Sequence, residues 1–495
     1  MLLAIDQGTT GTTALVLDLE GRAVGRATRE FPQYFPQPGW VEHEPDEIWQ
    51  SVLDATGEAL RAAGLKGEAV RAVGITNQRE TTLLWERGSG RPAHRAIVWQ
   101  DRRTSEHCAR LREGGHEAAV RRLTGLVLDP YFSGTKLSWL LDEGGLRARA
   151  EAGELAFGTV DSFLLSRLTG GAAHVTDITN ASRTLLFNLR TLRWDDSMLA
   201  LLRVPRAILP ATAPSAGLFG STKGFGPLPD GVPITGVAGD QHAALFGQAC
   251  FAEGEGKCTY GTGAFVLVNT GDRPLESRFG LLTTPAWQIG DRVTYALEGA
   301  SFVAGAAVQW LRDGLKLIAR ASDVEALARS VPSSEGVVVV PAFTGLGAPH
   351  WDADARGLIS GLTRGVSAGH LARATLEGIA FSVGELLQSM ADDLGAPLGR
   401  LRVDGGAAAN DLLMQTQSDL SALRVERPSE LESTARGAAM LAGIGAGLFS
   451  SPAEAAKVLR VERTFTPTLP EHERVRRWAA WHAAVGRAKY RPNPL

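Results

Sequence analysis

Asp6-Gln7-Gly8-Thr9-Thr10-Gly11-Thr12-Thr13 is the stretch on which the reading of this chain turns. Ahead of it, Leu2 to Asp6 reads as a short buried strand. Thr13 to Asp18 resumes as a second strand, and Ala23 to Arg29 follows the turn Leu19-Glu20-Gly21-Arg22 as a third. The chain therefore opens as a β-meander whose first hairpin loop is built of Gly and Thr. Such a loop offers backbone N–H groups and hydroxyls at close range, which suits phosphate oxygens. An Asp ending the leading strand suits a hard cation such as Mg2+. A plain polar turn would look the same over so few residues. The loop is not a Walker motif, because no Gly-Lys-Ser/Thr follows.

The same pattern returns near mid-chain. Lys257 to Tyr260 reads as a strand, Gly261-Thr262-Gly263 as a turn and Ala264 to Asn269 as a strand. Two such hairpins suggest two related domains facing one another, with phosphates clamped between the turns. The boundary is expected within Gly247 to Gly256, giving domains 1–247 and 248–495. The helical stripe Ile48, Val52, Ala55 and Ala59, followed by buried strands at Arg71 to Thr76 and Thr81 to Glu86, makes an α/β class. Further on come a four-valine strand within Gly336 to Pro341, a helix over His370 to Met390 and a strand Leu401 to Asp404. That strand runs through Gly405-Gly406-Ala407-Ala408-Ala409-Asn410 into a helix ending near Leu420, a turn where backbone amides can approach an anion.

Bulk properties set the frame. The chain has 495 residues, 44% hydrophobic and 21% charged. That is too long for one ordinary core. A net charge of −3 removes the electrostatic case for nucleic acid or an anionic membrane as partner. No uncharged apolar run is long enough to span a bilayer, and Asp6 interrupts the N-terminus before a signal-peptide core can form. Cys108, Cys250 and Cys258 show neither disulfide-framework nor metal-ligand spacing, so a cytoplasmic protein is expected.

Two further places carry chemistry. Asp240, in Thr235-Gly236-Val237-Ala238-Gly239-Asp240-Gln241-His242, ends a β-like run and is placed either to accept a hydroxyl proton or to cap the next helix. Arg79-Glu80 follows the strand ending at Thr76. Such a pair is commonly a surface ion pair. With apolar flanks it can also face a cleft, where Trp99 and Tyr131 would make an apolar wall for a polyol.

Taken together these segments resemble the FGGY carbohydrate kinases, and within that family its glycerol-phosphorylating members. The strings that carry the likeness include Gly39-Trp40-Val41-Glu42-His43, Ile75 through Thr82, Ala96 through Gln100 and Asp129 through Lys136. Gly239-Asp240-Gln241, Thr259 through Gly263, Pro341 through Pro349 and Arg402 through Gly406 add to them. Both family signatures are present, Tyr131 through Lys136 and Trp139 to Glu143, and Gly357 through Gly361 and His370 to Glu377. The resemblance runs from Leu3 to about Ala480.

It implies two ribonuclease-H-like (actin-like ATPase) domains with the active site in the cleft between them, and transfer of phosphate from ATP to glycerol with Mg2+. By analogy Arg79, Glu80, Trp99, Tyr131, Asp240 and Gln241 hold glycerol, with Asp240 as base, and Asp6 serves Mg2+. Thr9, Thr10 and Gly11 contact the nucleotide from one side, and Thr262, Gly305, Gln309, Gly406 and Asn410 from the other. A homodimer or homotetramer is expected by the same analogy. Three departures stand out: Thr13 occupies a position where many relatives have Arg, Phe225 to Gly231 lacks the Arg of the fructose 1,6-bisphosphate loop, and Ser215 to Gly220 lacks a phosphorylatable His. The competing readings are an FGGY kinase for another polyol or a ketose such as xylulose, and a non-enzymatic actin-like ATP-binding scaffold.

Overall fold

A computed structural model describes residues 1–430 and 432–489; residues 490–495 of the expected second domain lie outside them. The meander forms as read: β1 (Leu2–Gln7), β2 (Gly11–Leu17) and β3 (Ala23–Glu30). Helix α1 (Pro45–Ala62) lays Ile48, Val52, Ala55 and Ala59 onto β2 and β3. Pro at its first turn, Asp46 and Glu47 beside it and Arg61 at the far end all agree with the helix polarity. Among the other elements of the first half are β4 (Ala72–Asn77), α2 (Ser133–Asp142), β5 (Ala216–Ser221), β6 (Pro233–Gly239) and α3 (Asp240–Gly247).

The second half begins with β7 (Glu255–Tyr260), β8 (Ala264–Gly271), β9 (Leu282–Ile289) and β10 (Arg292–Ser301). Helices α4 (Gly305–Asp313) and α5 (Ala368–Leu394) follow, then β11 (Arg400–Asp404) and α6 (Asp411–Ser421). β12 (Val425–Pro428), α7 (Ser433–Gly445), β13 (Val461–Phe465) and α8 (Glu471–Ala488) end the chain. The valine strand shrinks to Val338–Val340 and pairs with Leu358–Ser360, outside the main sheet. The strand expected from Thr81 starts instead at Leu83, because Glu80 takes a left-handed turn at φ 61°.

Thirteen strands join in the order β13-β12-β11-β7-β8-β10-β9-β5-β6-β4-β1-β2-β3. In each half a three-stranded antiparallel meander is extended by two parallel strands: β4 and β6 beside β1, and β11 and β12 beside β7. Both halves thus carry the ribonuclease-H strand order, and the two sheets meet where Ala216 of β5 pairs with Ile289 of β9. β1 is buried on both faces, touched by both α1 and α7.

The helices between the sheets are exchanged. α7, from the second half, packs on β1, β4 and β6 of the first, burying Ala435, Ala438, Ala439, Leu441 and Ala442. α3, from the first half, sets Phe246 edge-on against Trp287 of β9, with ring centroids 5.1 Å apart. The two helices cross so closely that a Cβ on Gly437 would lie 1.8 Å from the carbonyl oxygen of Ala243. Only glycine fits there.

Candidate active site

β1, β4 and β6 run parallel and in register, with Asp6 opposite Thr76 and Gly239 opposite Asn77. Their carboxyl ends therefore deliver Asp6, the Gln78-Arg79-Glu80 corner and Asp240 to one edge of the first sheet, where ligands of open α/β sheets bind. Asp6 carries its carboxyl at a pKa of about 8, pushed up by burial and then by the Asp240 and Glu432 carboxylates. Mg2+ ordinarily takes only one or two carboxylates from a protein beside phosphate oxygens and water, and Asp6 and Asp240 at one sheet edge fit that donor set; among the described residues there is no larger metal-ligand cluster.

Asp240 is not a helix cap. Gly239 occupies the cap position and Asp240 is the first residue of α3. Its side chain is 32% exposed, its Oδ1 accepts the backbone N–H of Gln241 at 2.6 Å, and Arg79 Nε lies 3.1 Å away. This leaves carboxylate capacity open to solvent at the strand edge.

The surface-pair reading of Arg79-Glu80 fails, since the side chains are 2% and 1% exposed. Arg79 Nη1 and Nη2 donate to both oxygens of Glu298 on β10, at 2.7 and 2.9 Å. Arg183 donates to Glu80 at 2.6 Å and to Glu298 at 3.1 Å. The four side chains form a neutral buried quartet, which is the condition under which such charges survive burial. Burial would raise Glu298, yet Arg183 and Arg79 hold it well below the usual carboxylate range. Burial pushes Glu80 up against the pull of both arginines. The left-handed Glu80 backbone is pinned through its carbonyl, which accepts from Ser133 Oγ at 2.9 Å and Thr82 Oγ1 at 3.1 Å.

The aromatic wall is present. Trp99 and Tyr131 meet edge-to-face at 5.6 Å, and Trp99 Nε1 donates to Thr9 Oγ1 at 2.9 Å, tying the wall to the first hairpin. Burial holds the Tyr131 phenol protonated. Fully buried Lys136 donates to the Pro130 carbonyl at 3.1 Å and to that of Tyr131 at 2.5 Å, which orders this segment. Gln241, next to Asp240, gives its amide oxygen to Lys257 Nζ, which also reaches Thr259 Oγ1 at 3.0 Å.

Thr10 is exposed and Gly8 N donates to the Gly11 carbonyl, closing the first turn. Gly11 lies flat on β3, where a Cβ would meet the Arg29 carbonyl oxygen at 2.7 Å, so its glycine has a packing cause as well. Thr13 stands directly opposite Asp6 in the β1/β2 ladder, with its hydroxyl on Thr28 at 2.9 Å. A cation at position 13 would share a sheet face with Asp6.

The second cluster assembles around Gly261-Thr262-Gly263. Gly305 N donates to the Gly261 carbonyl and Ala306 N to that of Thr262, so α4 begins against this turn. Gln309 sits exposed one helical turn further along. Gly405 abuts the Tyr260 backbone, and the space beside Gly406 is open. Asn410 caps α6, its Oδ1 accepting Leu413 N at 2.9 Å, which leaves its amide nitrogen free for other partners.

Three participants escaped the sequence reading: Arg183, Lys257 and Glu298. The last two were signalled weakly, as charges between small or apolar neighbours within strands (Lys257 between Gly256 and Cys258, Glu298 between Leu297 and Gly299).

Residues 1–247 match the N-terminal domain, and residues 256–446 the C-terminal domain, of the FGGY family of carbohydrate kinases. The chain belongs to that family. Among FGGY kinases it is similar to the glycerol kinase of Myxococcus xanthus, 56% identical over 490 residues, covering 98% of this chain and 99% of that one. A solved Plasmodium falciparum glycerol kinase with ADP superposes with a TM-score of 0.95 at 36% identity, covering 99% and 98%. A xylulose kinase from Lactobacillus acidophilus shares the FGGY fold, at TM-score 0.87 and 23% identity over 98% and 97%. Among the described residues no helix is long and apolar enough to cross a membrane.

Proposed function

We propose that this FGGY kinase phosphorylates glycerol at a terminal hydroxyl with ATP, giving sn-glycerol 3-phosphate and ADP. The observation that carries the reading is the carboxylate of Asp240, part-exposed at the edge where the polyol wall and the first hairpin converge. It is supported by full-length likeness to glycerol kinases at 56% identity. The lower identity to the xylulose kinase and the Trp99–Tyr131 wall favour glycerol over a ketose. An ATP-binding scaffold would have no use for a base beside an alcohol pocket.

In this mechanism Trp99 and Tyr131 cover the carbon skeleton of glycerol, while Arg79, Glu80 and Gln241 fix its hydroxyls. Asp240 accepts the proton of the attacking hydroxyl as its oxygen bonds to the γ-phosphorus and the bond to the ADP oxygen breaks. The hairpin amides and hydroxyls of Thr9 and Thr10 on one lobe, and of Thr262 on the other, hold the phosphates. Gly305, Gln309, Gly406 and Asn410 receive the nucleotide, and Gly11 keeps the first turn close. Asp6 would hold Mg2+, which when bound would supply charge neutralisation for phosphoryl transfer. Approach of the lobes 1–247 and 248–495 excludes water, which would otherwise compete as acceptor. The free, buried Cys108, Cys250 and Cys258 suit a cytoplasmic enzyme. A homodimer or homotetramer is the expected assembly, to be read by light scattering.

A coupled ADP-release assay over small polyols and ketoses tests the reading. Glycerol is expected to give the highest kcat/KM, and a higher value for xylulose or another sugar would replace it.

A further inference from the structure

The first lobe's acceptor residues are held from the second lobe. Lys257 of β7 and Glu298 of β10 both pair with the same residue, Leu267 of β8. Directly opposed residues share a face of the sheet, so Lys257, Leu267 and Glu298 form one row, with the two charges about 10 Å apart across two strand spacings. Leu267 packs in the same apolar cluster as Leu245 and Phe246 of α3, so the row faces the helix that begins with Asp240 and Gln241. Glu298 then takes both terminal nitrogens of Arg79, and Lys257 takes the amide oxygen of Gln241.

The chemistry of each contact restricts its partner. An ammonium can only donate, so the Gln241 oxygen is committed and its NH2 is what remains for a hydroxyl. A bidentate carboxylate fixes the plane of a guanidinium, leaving Arg79 Nε directed at Asp240. Neither Lys257 nor Glu298 belongs to the set that touches substrate in the mechanism above.

We propose that Lys257 and Glu298 are positioning residues, a cation and an anion in one row of the second sheet that aim Gln241 at the acceptor alcohol and hold Arg79 against Asp240 beside it. The inference rests on the polyol-kinase reading. It also links the two sites. Glu298 lies three residues, about 10 Å, before Ser301, which pairs with Ala264 at the foot of the second hairpin. Any displacement of β10 at the second hairpin would therefore move the group that orients the acceptor grip.

The test measures KM for acceptor and for ATP separately in Lys257→Met, Lys257→Arg, Glu298→Gln and Glu298→Asp. Acceptor binding without ATP is followed by calorimetry, and folding by thermal unfolding. Lys257→Met and Glu298→Gln are expected to raise acceptor KM about tenfold or more and to weaken acceptor binding in parallel, with ATP KM within about twofold. Lys257→Arg, which still donates, is expected to recover most of the loss. Unchanged acceptor KM, or equal rises for both substrates, overturns the proposal. Should Glu298→Gln not fold, the Lys257 pair decides: a normal Lys257→Met, or a Lys257→Arg no better than Met, overturns it. The acceptor used is whichever the wild-type chain prefers in the polyol and ketose panel. A result against glycerol therefore sinks the substrate assignment alone, while unaltered acceptor binding in the variants sinks the positioning role alone.

Discussion

Asp240 combines three properties that a base for an alcohol needs: partial exposure, an adjacent fixed cation in Arg79, and a position at the rim of three parallel strands. Asp240→Asn keeps the shape and removes the proton acceptor. Turnover is expected to fall by about 10²–10⁴-fold with glycerol binding retained, measured by ADP release and calorimetry. Near-normal turnover would take the base role away from this residue. Asp6 makes a different prediction. Its folded pKa of about 8 lies above the ordinary 3.8, so folding favours its protonated form. The stability this contributes is full below about pH 4 and is lost as pH rises through about 8. Ligand-free Asp6→Asn, neutral throughout, should unfold at a higher temperature than the parent at pH 9 and at the same temperature near pH 4, while losing activity. A parent curve flat between those pH values would show that Asp6 is ionised without a cation.

At the scale of elements, periodicity made most of the fold legible. The apolar runs of β1 and β2, the stripe of α1 and the repeated hairpin are local patterns, and they formed within a few residues of where they were read. Local patterns set Asp240 at a strand end and Trp99 with Tyr131, as they stand, while base and cap stayed open for Asp240 and the glycerol roles came from the family resemblance. The quartet was not legible. Arg79 and Glu298 are 219 residues apart, and no local rule pairs them. Lys257 lies only 16 residues from Gln241, but a helix and a turn separate the two and no local rule brings the strand back to that side chain. The crossing of α3 and α7 was equally invisible, because its sign is only a pair of glycines in helices. It can be tested directly. Gly437→Ala pushes a methyl into the Ala243 carbonyl and is expected to cost about 1–3 kcal/mol or more, with a matching fall in the denaturant midpoint at constant slope. No loss of stability would mean that the helices can separate freely at that contact.

Over the whole molecule, two halves of one topology join through β5 and β9, and the proposed mechanism gives the acceptor to the first and most of the nucleotide contacts to the second. The loop from Phe225 to Gly231 lies apart from this. Phe225 is buried and packs on Trp49, and the stretch offers no arginine to a sugar bisphosphate. Millimolar fructose 1,6-bisphosphate is expected to leave the reaction rate unchanged, and marked inhibition would point to another binding surface.

The lobes are also interlocked in time. During synthesis the N-terminal sheet leaves the ribosome with its apolar underside bare, since residues 433–445 that cover it are made nearly two hundred residues later. At ~5–20 residues per second that interval is roughly 10–40 s. A nascent chain of this enzyme therefore carries an uncovered sticky surface until translation is almost complete, which makes it a natural client for a holding chaperone and makes a chain stopped near residue 247 prone to aggregate.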